Sequence, residues 1–247
     1  GVRTGLNNLL LDDEPDNISD QGQTQKNGQT ATDTLTDSDT TKHPTPAHPS
    51  DQSTAATLPE TAVNVPVRRH NPRTGASSAP NKIIVFGHLG CHPCREALRV
   101  ALNHVRQNPT TTRLVSKFAL ADKNSDAGIE AGLVAGIAQQ EQVFWDVLEQ
   151  LSQAKTASRS GSARNDKYVI DALTKTGIPL AEIRKKLRQN TAAYMRDIDA
   201  DLADFSTLQR KNIPLVVING KMMAPKPRKA SGTPPHKQLQ ARLNGMN

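Results

Sequence analysis

Cys91-His92-Pro93-Cys94 is the only place in this sequence that uses cysteine. Two thiols at this spacing can close a disulfide on each other after one of them has attacked a partner, which is the chemistry of thiol–disulfide exchange. The flanking sequence makes the motif informative. An apolar β-like run, Ile83-Ile84-Val85-Phe86, precedes it, and a helix-patterned stretch from Arg95 to Gln107 follows. A cysteine in the first turn of a helix faces unpaired backbone N–H groups and the positive end of the helix dipole, and both favour thiolate over thiol. Strand, C-x-x-C, helix is the redox reading of such a motif. Cys91, the more N-terminal thiol, is the candidate nucleophile. Cys94 falls on the apolar face of the helix and is the candidate resolving thiol. His92 and Pro93 are expected to set redox poise, since a protonated His92 beside Cys91 stabilises the thiolate and makes the disulfide more oxidising.

A second chemistry uses the same residues. His88, Cys91, His92 and Cys94 offer nitrogen and sulfur ligands for copper or zinc. Four ligands within seven residues would strain a closed tetrahedral site, and Cys94 faces the core. The redox reading is therefore preferred, with no metal and no cofactor expected. Covalent haem attachment needs His directly after the second cysteine, where this chain has Arg95. No nucleophile elbow or glycine-rich phosphate loop is present. Phe144 and Trp145 read as core anchors, and Met222 and Met223 as packing residues.

The elements that must hold the motif can be read from periodicity. Asn81 to Phe86 reads as a buried strand. Cys94, Ala97, Leu98, Ala101, Leu102 and Val105 repeat at the spacing of one buried helix face, and Asn108-Pro109 stops that helix. Arg113 to Ala121 reads as a second strand. Residues 126–153 read as one long helical stretch, residues 155–164 as a Ser/Ala/Lys/Arg loop, and further helices are expected at 166–175, 180–188 and 191–210. Tyr194, Ile198, Leu202, Phe205 and Leu208 hold one face of the last. The run Leu215-Val216-Val217-Ile218 reads as a strand, Asn219-Gly220 as a two-residue hairpin turn, and Lys221 to Ala224 as its return strand. Thr233, as N-cap with Pro234 just inside, starts a terminal helix running to about Leu243. This order describes an α/β protein, a thioredoxin fold with an inserted helical subdomain.

Composition divides the chain in the same way. Of its 247 residues, 35% are hydrophobic and 3% aromatic, which is low for a chain globular throughout. Residues 1–63 carry three Lys/Arg against ten Asp/Glu and scarcely an apolar run beyond Leu9-Leu10-Leu11. Such a segment cannot bury enough surface to offset its ordering entropy and is expected to be a disordered acidic linker. Residues 64–247 carry 28 Lys/Arg against 14 Asp/Glu. Their cations are scattered, with no nucleic-acid motif or aromatic stacking pattern, so a solvated basic surface is expected rather than nucleic-acid binding. No stretch of about 18 apolar residues occurs, so no membrane-spanning helix is expected within the sequence. The chain starts with Gly rather than Met, which allows for an export signal or membrane anchor upstream.

From residue 70 onward the sequence resembles the DsbA-like branch of the thioredoxin superfamily. Asn71-Pro72-Arg73-Thr74-Gly75, Ala79-Pro80 and the IIVF run resemble that branch's entry to its first central strand. Phe144-Trp145 matches the opening of its helical insertion, placed here at about residues 123–205. Ile213-Pro214 and Ile218-Asn219-Gly220 match its proline before a strand and its ING turn. The resemblance implies a cis Ile213–Pro214 bond beside the disulfide, with the Ile213 backbone pairing with a substrate strand. It further implies protein thiol or disulfide substrates, a redox partner that recycles the cysteine pair, and a bacterial periplasmic or cell-envelope location. Exchange in the oxidising direction is expected; reductase or isomerase activity would use the same residues. Two positions depart from the branch. Val85 stands where a carboxylate often relays protons to the buried thiol, and Ile213 stands where Thr often precedes the cis proline.

Overall fold

The computed structural model describes residues 62–122, 124–153, 165–223 and 233–246. Residues 1–61 of the expected acidic linker and the loop at 155–164 lie outside the described residues, whereas Ala62 and Val63, expected in the linker, pair with Lys221 and Gly220 of the hairpin. Five strands form one sheet: β1 (Arg73–Thr74), β2 (Asn81–Gly87), β3 (Thr112–Phe118), β4 (Leu215–Ile218) and β5 (Lys221–Met222). Their order is β1-β3-β2-β4-β5. β2 and β3 run parallel, and β2 and β4 run antiparallel with Phe86 opposite Leu215. β2 is thus central and buried on both faces, which is why it reads as a continuous apolar run rather than an alternating one.

Six helices complete the described fold: α1 (His92–Gln107), α2 (Asp126–Gln140), α3 (Phe144–Gln153), α4 (Asn165–Thr174), α5 (Leu180–Thr207) and α6 (Pro235–Asn244). α1 is the crossover between the parallel strands β2 and β3, and α2 to α5 are the helical insertion between β3 and β4. Ile83, Val85 and Leu114 face α1, the insertion and α6. Ile84, Phe86, Val115 and Val217 face the other way, where they meet Val65 of the N-terminal arm and Phe205 and Leu208 at the end of α5. The Phe86 and Phe205 rings lie 5.6 Å apart.

Where element boundaries differ from the sequence reading, the causes are local. The stretch at 126–153 breaks into two helices because Gln142 adopts φ +61° and the Val143 amide reaches back to the Ala138 carbonyl at 2.8 Å. The helices expected at 180–188 and 191–210 are instead one, α5. Thr191, the first residue of the second expected helix, turns its hydroxyl back onto the Leu187 carbonyl and the ladder continues. β3 ends at Phe118 rather than Ala121, although the Ala119 amide still reaches the Gly87 carbonyl at 3.1 Å. The expected cap at Thr233 is one residue early, for Pro234 holds the N-cap and the helix starts at Pro235. Asn219 (φ 51°) and Gly220 (φ 75°) form the expected hairpin turn, and the return strand is the two-residue β5, with Ala224 outside the described residues. The short edge strand β1 escaped the sequence reading.

A buried ionic cluster ties the arm, sheet and insertion together. The side chain of Lys117 on β3 is 0% exposed. Its Nζ lies 2.8 Å from Asp201 Oδ1 and 2.8 Å from Asp204 Oδ2, and donates to the Pro66 carbonyl at 3.0 Å. The Asn71 side-chain Nδ2 donates to both Asp201 oxygens, at 3.0 and 2.9 Å, and the Phe118 backbone amide donates to Asp201 Oδ2 at 2.8 Å. Arg68 grips Asp204 at 2.8 Å, and His70 contacts Asp201 at 3.1 Å. The cluster fixes α5 at the end of β3 and lays the arm across the sheet. Burial acts to raise both carboxyls. For Asp201 the hydrogen bonds of His70, Lys117 and Asn71 and the Lys117 charge outweigh it, and for Asp204 those of Arg68 and Lys117 do so, leaving both below the usual carboxylate value.

Removing one partner strands a buried charge. Asp201→Ala is expected to destabilise the fold by about 3–5 kcal/mol in urea unfolding. With folded carboxyl values depressed, this stabilisation is complete above the unfolded value of 3.8 and is lost as pH falls through the folded values. Unfolding curves at pH 7 and pH 3 should therefore differ more for the parent protein than for Asp201→Ala.

Candidate active site

β2 delivers the chain directly into the motif. After Gly87 a four-residue bend turns it, with the Cys91 amide donating to the His88 carbonyl at 3.0 Å, and α1 begins. Cys91 is the N-cap of α1, with φ −86° and ψ 110°, and its sulfur accepts from the Cys94 amide at 3.2 Å. That is the capping role usually filled by a Ser or Asp oxygen, here performed by the sulfur. Cys91 and Cys94 form a disulfide, with S–S 2.06 Å and Cα–Cα 5.2 Å.

The two sulfurs have unlike surroundings. Cys91 is partly exposed, and His92 and Pro93 are exposed beside it. Cys94 is 0% exposed and heads the buried face of α1. A Cβ added at Gly87 would lie 2.7 Å from the Cys94 sulfur, so Cys94 rests directly on the backbone of β2. The Ile213–Pro214 bond is cis. The β2–β4 register ends at the Phe86–Leu215 pair, so Pro214 immediately precedes β4 at the end of the sheet where Gly87 closes β2. The chain thereby places Ile213-Pro214 beside the strand end that carries the disulfide, although these residues are more than a hundred positions from the cysteines. Val85 is a fully buried core residue and brings no carboxylate to Cys94.

Beside the motif, Arg95 was not singled out as a site residue by the sequence, and His88 was weighed only as a metal ligand. Arg95, which follows Cys94, is 3% exposed; its Nη1 donates to the Leu89 carbonyl at 2.7 Å, and the guanidinium lies 5.4 Å from the centroid of the Tyr168 ring. Burial lowers its pKa, against opposing effects of Tyr168 and Glu96. His88 is pushed down to about 4, by burial first and then by the Arg95 charge, and is therefore neutral at pH 7. Its Nδ1 is buried without a hydrogen-bond partner. His88 also lines a cleft of roughly 930 Å³ between the sheet and the insertion, together with Gly87, Phe118, Trp145 and Tyr194. The sequence clue to Arg95 was its place one turn after Cys91, and the clue to Gly87 was a glycine ending an otherwise apolar strand.

The metal alternative finds no support. Among the described residues no group of three or more His, Cys, Asp or Glu is placed to hold a metal ion. His92 is exposed while His88 is largely enclosed, so the two imidazoles do not share one environment with the sulfurs.

A thioredoxin family model matches residues 68–232, more than half of the chain, and the protein belongs to that family. Solved structures of similar fold include oxidised BdbD from Bacillus subtilis, at 15% identity and a TM-score of 0.56, covering 74% of this chain and 97% of that one. A periplasmic thioredoxin-like protein from Salmonella enterica serovar Typhimurium has 19% identity and a TM-score of 0.51, covering 71% and 89%. A thioredoxin-like oxidoreductase from Silicibacter pomeroyi DSS-3 has 17% identity and a TM-score of 0.51, covering 72% and 93%. No curated protein sequence matches the chain. The protein is thus a thioredoxin-family chain that shares the fold of these solved structures and carries its Cys91–Cys94 disulfide at the junction of the central strand and the first helix.

The close approach at Gly87 is open to test. Gly87→Ala puts a methyl group 2.7 Å from the Cys94 sulfur and is expected to cost about 1–3 kcal/mol through overpacking. The melting temperature of the oxidised protein should fall, while Gly245→Ala, whose added Cβ would come no nearer than 3.6 Å to its closest neighbour, should leave it nearly unchanged.

Proposed function

We propose that this protein is a cell-envelope oxidant of protein thiols. A substrate thiolate attacks the Cys91 sulfur, the Cys91–Cys94 bond breaks, and Cys94 leaves as a thiolate that takes up a proton. A second substrate thiolate then attacks the substrate sulfur of the mixed disulfide, and Cys91 departs as a thiolate. The substrate loses two electrons, the protein gains them, and a separate redox partner reoxidises the pair.

The observation that carries this reading is the capping position of the partly exposed Cys91 above the enclosed Cys94. A thiolate at Cys91 would face the amides of the first turn of α1, which stabilises the reduced form and makes the disulfide more oxidising. His92 and Pro93 border that sulfur and are proposed to tune it. Ile213 and Pro214 are proposed to bind the substrate strand through the Ile213 backbone, a reading supported by the cis bond between them and by the Phe86–Leu215 pair, which starts β4 at the Gly87 end of β2. The envelope location is supported by the likeness to a periplasmic thioredoxin-like protein and by the need of a disulfide oxidant for a compartment in which disulfides persist. Among the described residues no helix is long and apolar enough to cross a membrane.

Cysteine variants test the assignment. Cys91→Ala is expected to abolish exchange with a reduced client protein. Cys94→Ala, offered a client whose own cysteines are joined in a disulfide, should attack that bond through Cys91 and retain the client as a mixed disulfide visible on non-reducing gels. Clients trapped on Cys94 in the Cys91→Ala protein would reverse the two roles, and a parent protein that is reduced by a dithiol client only to a few per cent would contradict the oxidant reading.

A further inference from the structure

The charge inventory around the disulfide is one-sided. Arg95 is 3% exposed and, among the described residues, forms no ion pair. The nearest carboxylate in sequence, Glu96, is taken by Arg99 at 2.9 Å. What the guanidinium has is a carbonyl, Leu89 O at 2.7 Å, and the face of the Tyr168 ring. A buried cation held without an anion is costly, and its usual solution is a paired carboxylate.

The anion that this site does generate is a thiolate. Arg95 lies four residues after Cys91, and the Arg95 amide donates to the Cys91 carbonyl at 3.0 Å, so the two residues stack one turn apart on one helix face. Helical side chains lean toward the N-terminus, and the hydrogen bond to Leu89, two residues before Cys91, confirms that the guanidinium reaches back under the active-site bend. In the oxidised protein both sulfurs are neutral and Arg95 has no opposite charge; on reduction Cys91 acquires one. An interaction present only in the reduced state favours reduction.

We propose that the buried guanidinium of Arg95 is the internal counter-charge of the Cys91 thiolate and thereby raises the reduction potential of the Cys91–Cys94 couple. This rests on the reading of that pair as a working redox couple. The other ionisable groups about the bend do not supply the charge in the same way. His88 is neutral at pH 7, for burial and Arg95 both oppose its protonation. Glu96 carries the wrong sign and is offset by Arg99, with smaller contributions from His236 of α6 and His92. Tyr168 of α4 is held in its neutral form by burial. His92 is exposed to solvent, where its charge is screened.

The test is equilibration of the protein with reduced and oxidised glutathione, together with the pH dependence of thiolate absorbance. Arg95→Met is expected to disfavour the reduced form at least tenfold in the equilibrium constant, about 30 mV for this two-electron couple, and to raise the Cys91 pKa. Arg95→Lys, which keeps the charge, should recover most of both effects. Should Arg95→Met fold poorly, Tyr168→Glu offers the guanidinium a competing carboxylate in an otherwise unaltered bend and should shift both readouts in the same direction, whereas Tyr168→Phe should not. An unchanged constant in Arg95→Met or in Tyr168→Glu overturns the proposal. So does a shift in Arg95→Lys as large as that in Arg95→Met, which would make Arg95 a brace for the bend rather than a charge. A parent protein whose cysteine pair does not equilibrate with glutathione at all would instead contradict the redox reading itself.

Discussion

The contact that organises this protein is that of the Cys94 sulfur with the Gly87 backbone. Only a residue without a side chain lets α1 approach β2 so closely, since any Cβ would stand 2.7 Å from the sulfur. With Cys94 seated there, the first turn of α1 is fixed against the end of the central strand. Cys91 is thereby left at the N-cap, where its own sulfur takes the place of a capping oxygen. One cysteine is committed to the core and the other to the surface. The asymmetry of the couple is thus a packing consequence before it is a chemical one.

The remaining architecture holds that junction still. β4 runs antiparallel to β2 and carries Ile213-Pro214 to the same end of the sheet. The helical insertion supplies Tyr168 against Arg95, so that a distant part of the chain covers the charge beneath the active-site bend. On the opposite face of the sheet, Lys117 gathers Asp201 and Asp204 from α5 and the arm carbonyl of Pro66. The cluster adds little net stability relative to a well-packed apolar alternative, but it penalises any arrangement that leaves Lys117 buried without its carboxylates. It therefore acts chiefly to fix where α5 and the arm must lie.

Much of this was legible in the sequence because it is local. The strand-to-helix context of Cys91 and Cys94, the apolar face from Ala97 to Val105, the run of β4 and the Asn219-Gly220 turn each follow from neighbouring residues. The break at Gln142 was not legible, for Gln140-Glu141-Gln142 contains no Gly or Pro and the helical composition continues through it. The fusion of two expected helices into α5 likewise reflects packing of Ile183, Leu187, Tyr194 and Ile198, which overrides the weak helix propensity of Asn190 and Thr191. The ionic cluster escaped because its partners lie far apart in sequence. Its trace was a lysine one residue from the end of the buried strand TRLVSKF and two aspartates on the face shared by Ile198 and Phe205. Arg95 escaped for a different reason: a charged residue at a helix start reads as solvated until its burial is known.

The central claim is that folding makes one sulfur reactive and encloses the other. The direct measurement is limiting alkylation of the fully reduced protein with iodoacetamide at neutral pH, with the adduct located by peptide mass mapping. A single adduct at Cys91, formed well before any label reaches Cys94, is the expected result. Equal labelling of both thiols, or first labelling at Cys94, would contradict the account.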